Sequence, residues 1–176
     1  MCIRDRRRAE FPARFQLIGA MNPCPCGYLG STQKACRCTP DQVARYQSKL
    51  SGPLIDRIDL HVEVPAVVPA DLMQTQAGES SATVRARCSA ARERAMARQG
   101  KPNQALQGQE IDQHLLLDDA AVKFLNVAAA RLGWSARSTH RALKVARTIA
   151  DLAGAHSTQV THVAEAMQYR RSLKTS

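Results

Sequence analysis

The sequence predicts an α/β fold class in which two retained strands are followed by a mainly α-helical half, and three observations predict it. Residues 15–21 (FQLIGAM) are a continuous apolar run stopped by Asn22-Pro23, the pattern of a parallel-sheet strand buried on both faces. Ile58, Leu60, Val62 and Val64 alternate with polar residues until Pro65, which is the period of a second strand. Beyond residue 81 apolar positions recur at three- and four-residue spacing, and the runs are closed by Gly and Pro, which is helical punctuation.

Two strands cannot form an independent sheet with buried faces. The sequence therefore reads as a fragment whose missing sheet partners are expected N-terminal to Phe11, with residues 1–10 (opening MCIRDRRR) a non-native or disordered start. Residues 11–66 hold the first strand, a cysteine loop over 24–38, a helix and the second strand. Thr39-Pro40-Asp41-Gln42 has the form of a capping box with Pro at the first helical position, opening a helix through Val43, Tyr46 and Leu50 that stops at Gly52. Residues 53–57 make one further turn before Ile58. Residues 67–81, rich in Pro, Gly, Ser and Gln without periodicity, read as a linker. Residues 82–176 read as a helical domain. Its first helix runs from 82 to 98, closed by Gly100 and Pro102, and its second is capped by Asp118 and runs to Leu132 before Gly133. A third is capped by Ser135 and runs to Ala153. The last begins at Thr161, with Val163 and Met167 at helical spacing.

Composition bounds the function. Of 176 residues, 44% are apolar and 23% charged, with nine Gly and eight Pro, which excludes fibrous and disordered classes. No run approaches the roughly eighteen apolar residues that cross a bilayer, so no membrane role and a cytoplasmic location are expected. Lys and Arg number 25 against 15 acids, a net charge of +10, which favours a polyanionic partner, nucleic acid or nucleotide, without choosing between them. Aromatic residues are only 4%, so contact with nucleic acid is expected to be electrostatic and weakly sequence-selective. The five histidines have no metalloprotease-type spacing and read as structural, and no phosphate-cradling G-x-x-x-x-G-K-[ST] occurs.

Cys24, Cys26, Cys36 and Cys38 fall within fifteen residues, while Cys2 and Cys88 are solitary. Four soft ligands suffice for a closed tetrahedral Zn²⁺ site, a structural rather than catalytic one. A redox pair and plain thiols are the competing readings, since C-x-C is tighter than the usual C-x-x-C.

Asn22 sits where a buried strand emerges at its carboxyl end, the edge at which α/β folds bind ligands, and equally where a turn precedes Pro23. Arg57 lies between a helical turn and a strand, flanked by Asp56 and Asp59, and reads on its own as one half of a surface ion pair. Arg137 stands in the first turn of a helix, with Arg141, Lys144 and Arg147 recurring down the same side. With Arg131, the stretch 131–147 holds five basic residues and no acid, and 85–101 holds six against Glu93. Each stretch is either a solvated face or a phosphate-facing stripe.

The stretch FPARFQLIGAMNPCPCG, the following C-R-C and LSGPLIDRIDLHVEVP closely resemble the YifB/ComM family of magnesium-chelatase-like AAA+ ATPases. The resemblance continues through RQGKPN (98–103), LDDAAVKFL (117–125), SARSTHRALKVARTIADLAG (135–154) and HVAEAMQYR (162–170). It implies that residues 11–66 are the C-terminal part of an AAA+ P-loop ATPase core and that 82–176 are its lid, a magnesium-chelatase C-terminal-like domain. It implies that Asn22 is the sensor 1 residue, that Arg57 is the arginine finger reaching a neighbouring subunit's nucleotide, and that Arg137 is sensor 2 in the lid. ATP and Mg²⁺ would be the cofactors, and a homo-oligomeric ring, a hexamer, driving DNA branch migration in recombination and natural transformation would be the working form. The P-loop and the magnesium-binding acidic strand of the family do not occur in this sequence, so the chain by itself is expected to hydrolyse nothing. A stand-alone zinc-stabilised nucleic-acid-binding module and a chelatase-type motor subunit are the alternatives.

Overall fold

The computed structural model describes residues 15–65 and 78–170. The start at residues 1–10 and most of the expected linker, residues 67–77, lie outside the described residues. Within them the elements are α1 (Pro40–Gln47), α2 (Gly52–Arg57), α3 (Ser81–Gln99), α4 (Gln109–His114), α5 (Asp119–Leu132), α6 (Ala136–Leu152) and α7 (Val160–Gln168), with a 3₁₀ turn at Asn103–Ala105.

Neither segment expected to be a strand forms one. Among the described residues the β pairing is an isolated parallel bridge between Leu117 and Thr158. A strand exists through a hydrogen-bonded ladder, and among the described residues no ladder forms beside residues 15–21 or 58–64. Their apolar side chains face solvent instead: Phe15 is 78% exposed, Ile18 84% and Val64 84%. The apolar pattern was legible, but the ladder it needs is not among the described residues.

Capping chemistry decided the helix ends as the sequence predicts. Thr39 and Gln42 form a reciprocal capping box at α1. Asp118 accepts the Ala121 N–H at 2.7 Å and Ser135 accepts the Ser138 N–H at 3.2 Å. Gly133 ends α5 with φ 62, the left-handed geometry that lets Trp134 N–H return to the Ala129 carbonyl at 3.0 Å. Helix α1 is shorter than expected, closing at Ser48 before Gly52. The short α4 and the 3₁₀ turn went unpredicted.

The core lies in the helical half. Leu106, Ile111 and Leu115 from the connection between α3 and α5 pack with Ala121 and Leu125 of α5, Leu143 and Ala146 of α6, and Val163 and Ala166 of α7. Thr158 ties the α7 entry to this cluster, donating to the Leu115 carbonyl at 2.6 Å. Helix α3 docks on α6 and buries only Ala91 and Ala95. What fixes it there is polar. Arg98 of α3 pairs with the buried Asp151 of α6 at 2.7 Å, and Arg94 donates to the Asp151 carbonyl at 2.7 Å. The fully buried Arg147 approaches the same carboxylate at 2.8 Å, and Asn103 Nδ2 donates to it at 2.8 Å.

Candidate functional site

The cysteine loop is built by turns. Gly27, at φ 81, lets its N–H return to the Cys24 carbonyl at 3.0 Å, folding Cys26 back toward Cys24. The Gln47 side chain then ties α1 to the loop through the Pro23 carbonyl at 3.1 Å. Four sulfurs converge as a result. Cys24 and Cys26 are 3.4 Å apart, Cys26 and Cys36 3.5 Å, Cys24 and Cys36 3.7 Å, and all four Sγ atoms, Cys38 included, lie within 4.8 Å of one another. A tetrahedral Zn²⁺ with bonds of about 2.3 Å has sulfur–sulfur edges of about 3.8 Å, so the set fits that ion.

The four thiols perturb one another's titration, Cys24 and Cys26 being lowered and Cys36 and Cys38 raised. The backbone N–H groups of Arg37 and Tyr28 hold Cys26 down at about 6. Cys38 is pushed up to about 12: the Cys26 N–H favours its thiolate, but desolvation and the neighbouring sulfurs outweigh that contribution. Without a cation, only part of the set can ionise at neutral pH, because each thiolate opposes the next. A divalent metal reverses that opposition.

Asn22 is exposed at the root of the same loop, its amide packed beside Gly27. Among the described residues no hydrogen bond joins it to Arg57 or Arg137. Those two arginines, by contrast, are brought to one region. Arg57 closes α2 and is exposed, its guanidinium donating to the Pro53 carbonyl of its own helix at 2.8 Å. The expected ion pair with its neighbours does not form. Asp56 is taken by Arg170 at 3.2 Å and by the Ser138 hydroxyl at 2.7 Å, and Asp59 is taken by Arg141 at 2.5 Å. The Ser138 hydrogen bond, reinforced by Arg170, Arg137 and Arg141, holds the Asp56 carboxyl below its usual range despite desolvation. Arg137 stands exposed in the first turn of α6.

A cleft of about 310 Å³ separates the α2 turn from the helical half, lined by Ile55, Asp56, His61, Trp134, Ser138 and Arg170. Both ring nitrogens of His61 are buried here without a partner among the described residues, and burial, aided by Arg170, holds its pKa below the usual value. His162 is structural as expected, its Nδ1 accepting the Gln159 N–H at 3.0 Å.

Three of the four basic residues on α6 are committed within the chain, and Arg137 alone of the four stays exposed. Arg147 is 1% exposed and spends its donors on Asp151, the Ala155 and His156 carbonyls and Thr158. Arg141 is committed to Asp59, and Lys144 to the Gln104 carbonyl at 3.1 Å. In the other cluster Arg87 pairs with Glu79, Arg98 with Asp151 and Lys101 with Glu110. Helical spacing locates a face and is silent on whether that face meets carboxylates from elsewhere.

Against this geometry, similarity to known proteins is decisive. The family model described as magnesium chelatase, subunit ChlI C-terminal, matches residues 78–170, and the one described as magnesium chelatase, subunit ChlI, matches residues 1–72. The chain belongs to the magnesium chelatase ChlI family. Among relatives, it is 46% identical over 168 residues to the uncharacterized protein YifB of Salmonella typhimurium, covering 95% of the chain and 33% of that protein. It is 44% identical over 172 residues to the competence protein ComM of Haemophilus influenzae, covering 97% of the chain and 33% of that protein. It is 38% identical over 169 residues to Rv2897c of Mycobacterium tuberculosis, covering 93% and 33%. The chain thus spans about a third of the length of the relatives it matches. No helix among the described residues is long and apolar enough to cross a membrane.

In this magnesium chelatase relative, sequence reasoning missed Ser138, Arg141 and Arg170 as partners of the α2 turn. The available signal was the pair of acids flanking Arg57, which needs two cations from elsewhere once Arg57 itself is turned away.

Proposed function

We propose that this chain is part of the ATP-hydrolysing core and lid of a ComM-like AAA+ motor, a homo-oligomeric ring acting on DNA in the cytoplasm. The observation that carries the reading is the exposed, unpaired Arg57: both neighbouring carboxylates are neutralised by other arginines, so its guanidinium is available to an anion from outside the subunit. An arginine so placed stabilises charge developing on a transferred phosphoryl group, the role of an arginine finger. Arg137, at the N-terminus of the seventeen-residue α6, would meet the phosphates of its own subunit's nucleotide, where the helix dipole also favours anions. Asn22 would orient water as sensor 1. ATP and Mg²⁺ supply the phosphoryl group and its charge neutralisation when bound. Residues 15–21 and 58–64 would become strands beside others of the intact core, which would cover their exposed apolar side chains.

Zn²⁺ held by Cys24, Cys26, Cys36 and Cys38 would fix the loop as a closed structural site. The DNA-facing surface would be this loop with α1 rather than α6. Lys34, Arg37, Arg45 and Lys49 have no carboxylate partner among the described residues, and Lys34 and Lys49 lie over the rings of Tyr28 and Tyr46 at 4.6 and 6.0 Å. Uncommitted cations with adjoining aromatic rings suit single-stranded nucleic acid. A chelatase-type motor is the second reading, favoured by the description of the matching family.

The test is ATP turnover in a full-length protein containing this chain, with and without DNA. Hydrolysis stimulated by DNA supports the motor, and turnover indifferent to DNA but stimulated by a chelatase partner supports the second reading. ATP hydrolysis by the 176-residue chain alone would refute the division of labour.

A further inference from the structure

The C-terminal end of α2 is held by the helical half, and the holding groups include the helix that carries Arg137. Arg141 donates one nitrogen to the Arg57 carbonyl at 2.6 Å and to Asp59 at 2.5 Å. Arg170, its side chain 5% exposed, donates to the Ile58 carbonyl at 3.0 Å and to Asp56 at 3.2 Å. The Ser138 hydroxyl donates to Asp56 at 2.7 Å, and the His61 N–H extends the seam to the Tyr169 carbonyl at 2.7 Å. Four consecutive residues, 56–59, therefore each accept a hydrogen bond from the helical half, through main chain or side chain.

We propose that Ser138, Arg141 and Arg170 form a latch by which the lid sets the position of Arg57, with Arg141 as its principal positioning residue. The proposal rests on the reading of Arg57 as the finger. Three of the accepting groups are main-chain carbonyls, at Asp56, Arg57 and Ile58, so the latch grips the backbone from which the finger projects. Arg137 precedes Ser138 directly and Arg141 by about one helical turn, and a helix transmits rotation as a rigid body over that distance. A displacement of α6 produced by phosphate contact at Arg137 is then delivered to the Arg57 backbone within the same subunit, while Arg57 acts on the neighbour. Nucleotide occupancy at one site would thus set catalytic competence at the next.

Energetically the latch is built for position. Arg141 and Asp59 are partly exposed, and pairs of that kind contribute little to folding. Misplacement of a catalytic group by about 1 Å, however, costs on the order of 10²-fold in rate.

The test is a double-mutant cycle on ATP turnover in the full-length protein. Arg141→Ala is expected to lower kcat about 10- to 100-fold, with KM for ATP changed less than about threefold and Tm moved by no more than about 2 °C. Introduced on an Arg57→Ala background, it is expected to do nothing further, because it acts on the reaction through Arg57. Arg141→Lys, which keeps a donor for the Arg57 carbonyl, should recover most of kcat. Amide hydrogen exchange over residues 52–61 should accelerate in Arg141→Ala and return toward wild type in Arg141→Lys. Should Arg57→Ala collapse turnover while Arg141→Ala leaves it unchanged, or should the two losses multiply in the double mutant, the latch is overturned and the finger stands. Should Arg57→Ala itself leave turnover intact, the finger reading falls and takes the latch with it.

Discussion

Asp151 accepts from both Arg98 and Arg147 at 2.7 and 2.8 Å while only 1% exposed, so one buried carboxylate joins α3 and the Asn103 turn to α6. Desolvation pushes its carboxyl up, but the hydrogen bonds from Arg98, Asn103 and Arg147 outweigh that and hold it below the usual carboxylate range. The pair is a positioning device for a helix that buries little apolar surface of its own, since α3 contributes only Ala91 and Ala95 to the interior.

Removing the charge should therefore be costly. Asp151→Asn leaves Arg147 buried opposite a neutral amide and is expected to destabilise the helical half by about 3–5 kcal/mol. The measurement is denaturant unfolding of the 176-residue chain, read by circular dichroism. A midpoint that stays within the error of wild type would show that α3 is held by something other than this carboxylate.

The same group sets an acid limit. Its folded pKa lies below the unfolded value of about 3.9, so its contribution is present above that value and is lost as pH falls through the folded pKa. His61 adds a second, milder window. Burial depresses its folded pKa below about 6.5, so the folded state prefers the neutral ring and stability declines as pH drops below that value. His61→Gln should flatten the upper window and leave the lower one intact, as measured by thermal melts across pH 3–8.

How much of this was legible depends on whether the signal is local. Caps at Thr39, Asp118 and Ser135 are decided within four residues, and each was read correctly from the sequence. The convergence of Cys24, Cys26, Cys36 and Cys38 was legible because turn residues separate the two C-x-C pairs. The fate of Arg147 was not, since its partners gather through the folding of α6 back past Gly154, and spacing alone placed it on a basic surface. The strands failed for a related reason: an apolar pattern specifies a face to be covered but does not supply the neighbour that covers it.

Zinc binding has a direct consequence. Purified under reducing, metal-replete conditions, the chain should carry one Zn²⁺, and each Cys→Ser change at 24, 26, 36 or 38 should lower affinity sharply while Cys88→Ser does not. Elemental analysis and competition with a chromophoric chelator measure both. A stoichiometry near zero, with four thiols freely titratable by a thiol reagent, would assign the cluster to plain cysteines.

Nucleic-acid affinity should follow the uncommitted cations. Replacing Lys34, Arg45 and Lys49 by Ala should weaken binding to a labelled single strand and reduce the slope of log K against log salt by up to about 0.7 per lost phosphate contact. Lys144→Ala should leave both nearly unchanged, because Lys144 is spent on the Gln104 carbonyl. The opposite ranking in a salt-titrated anisotropy assay would return the contact surface to α6.

The two exposed arginines should separate kinetically, because they would serve different nucleotides. Arg57 makes no ion pair with its carboxylate neighbours and would reach across a subunit seam, so it has little to offer ground-state ATP in its own site. In the full-length protein, Arg57→Ala should leave ATP affinity largely intact while lowering kcat on the order of 10³-fold. Arg137 heads α6 and would contact the nucleotide of its own subunit, so Arg137→Ala should raise KM for ATP as well as lower kcat. Mixing decides between cis and trans. A ring assembled from Arg57→Ala subunits and subunits lacking the P-loop lysine contains seams at which an intact finger faces an intact P-loop, and those seams should restore part of the activity. Arg137→Ala subunits mixed with the same partner should recover nothing, since each subunit then lacks a cis element of its own site. If both mixtures behave alike, Arg57 and Arg137 serve the same nucleotide, and the geometry that leaves Arg57 unpaired must be explained by a partner within its own subunit.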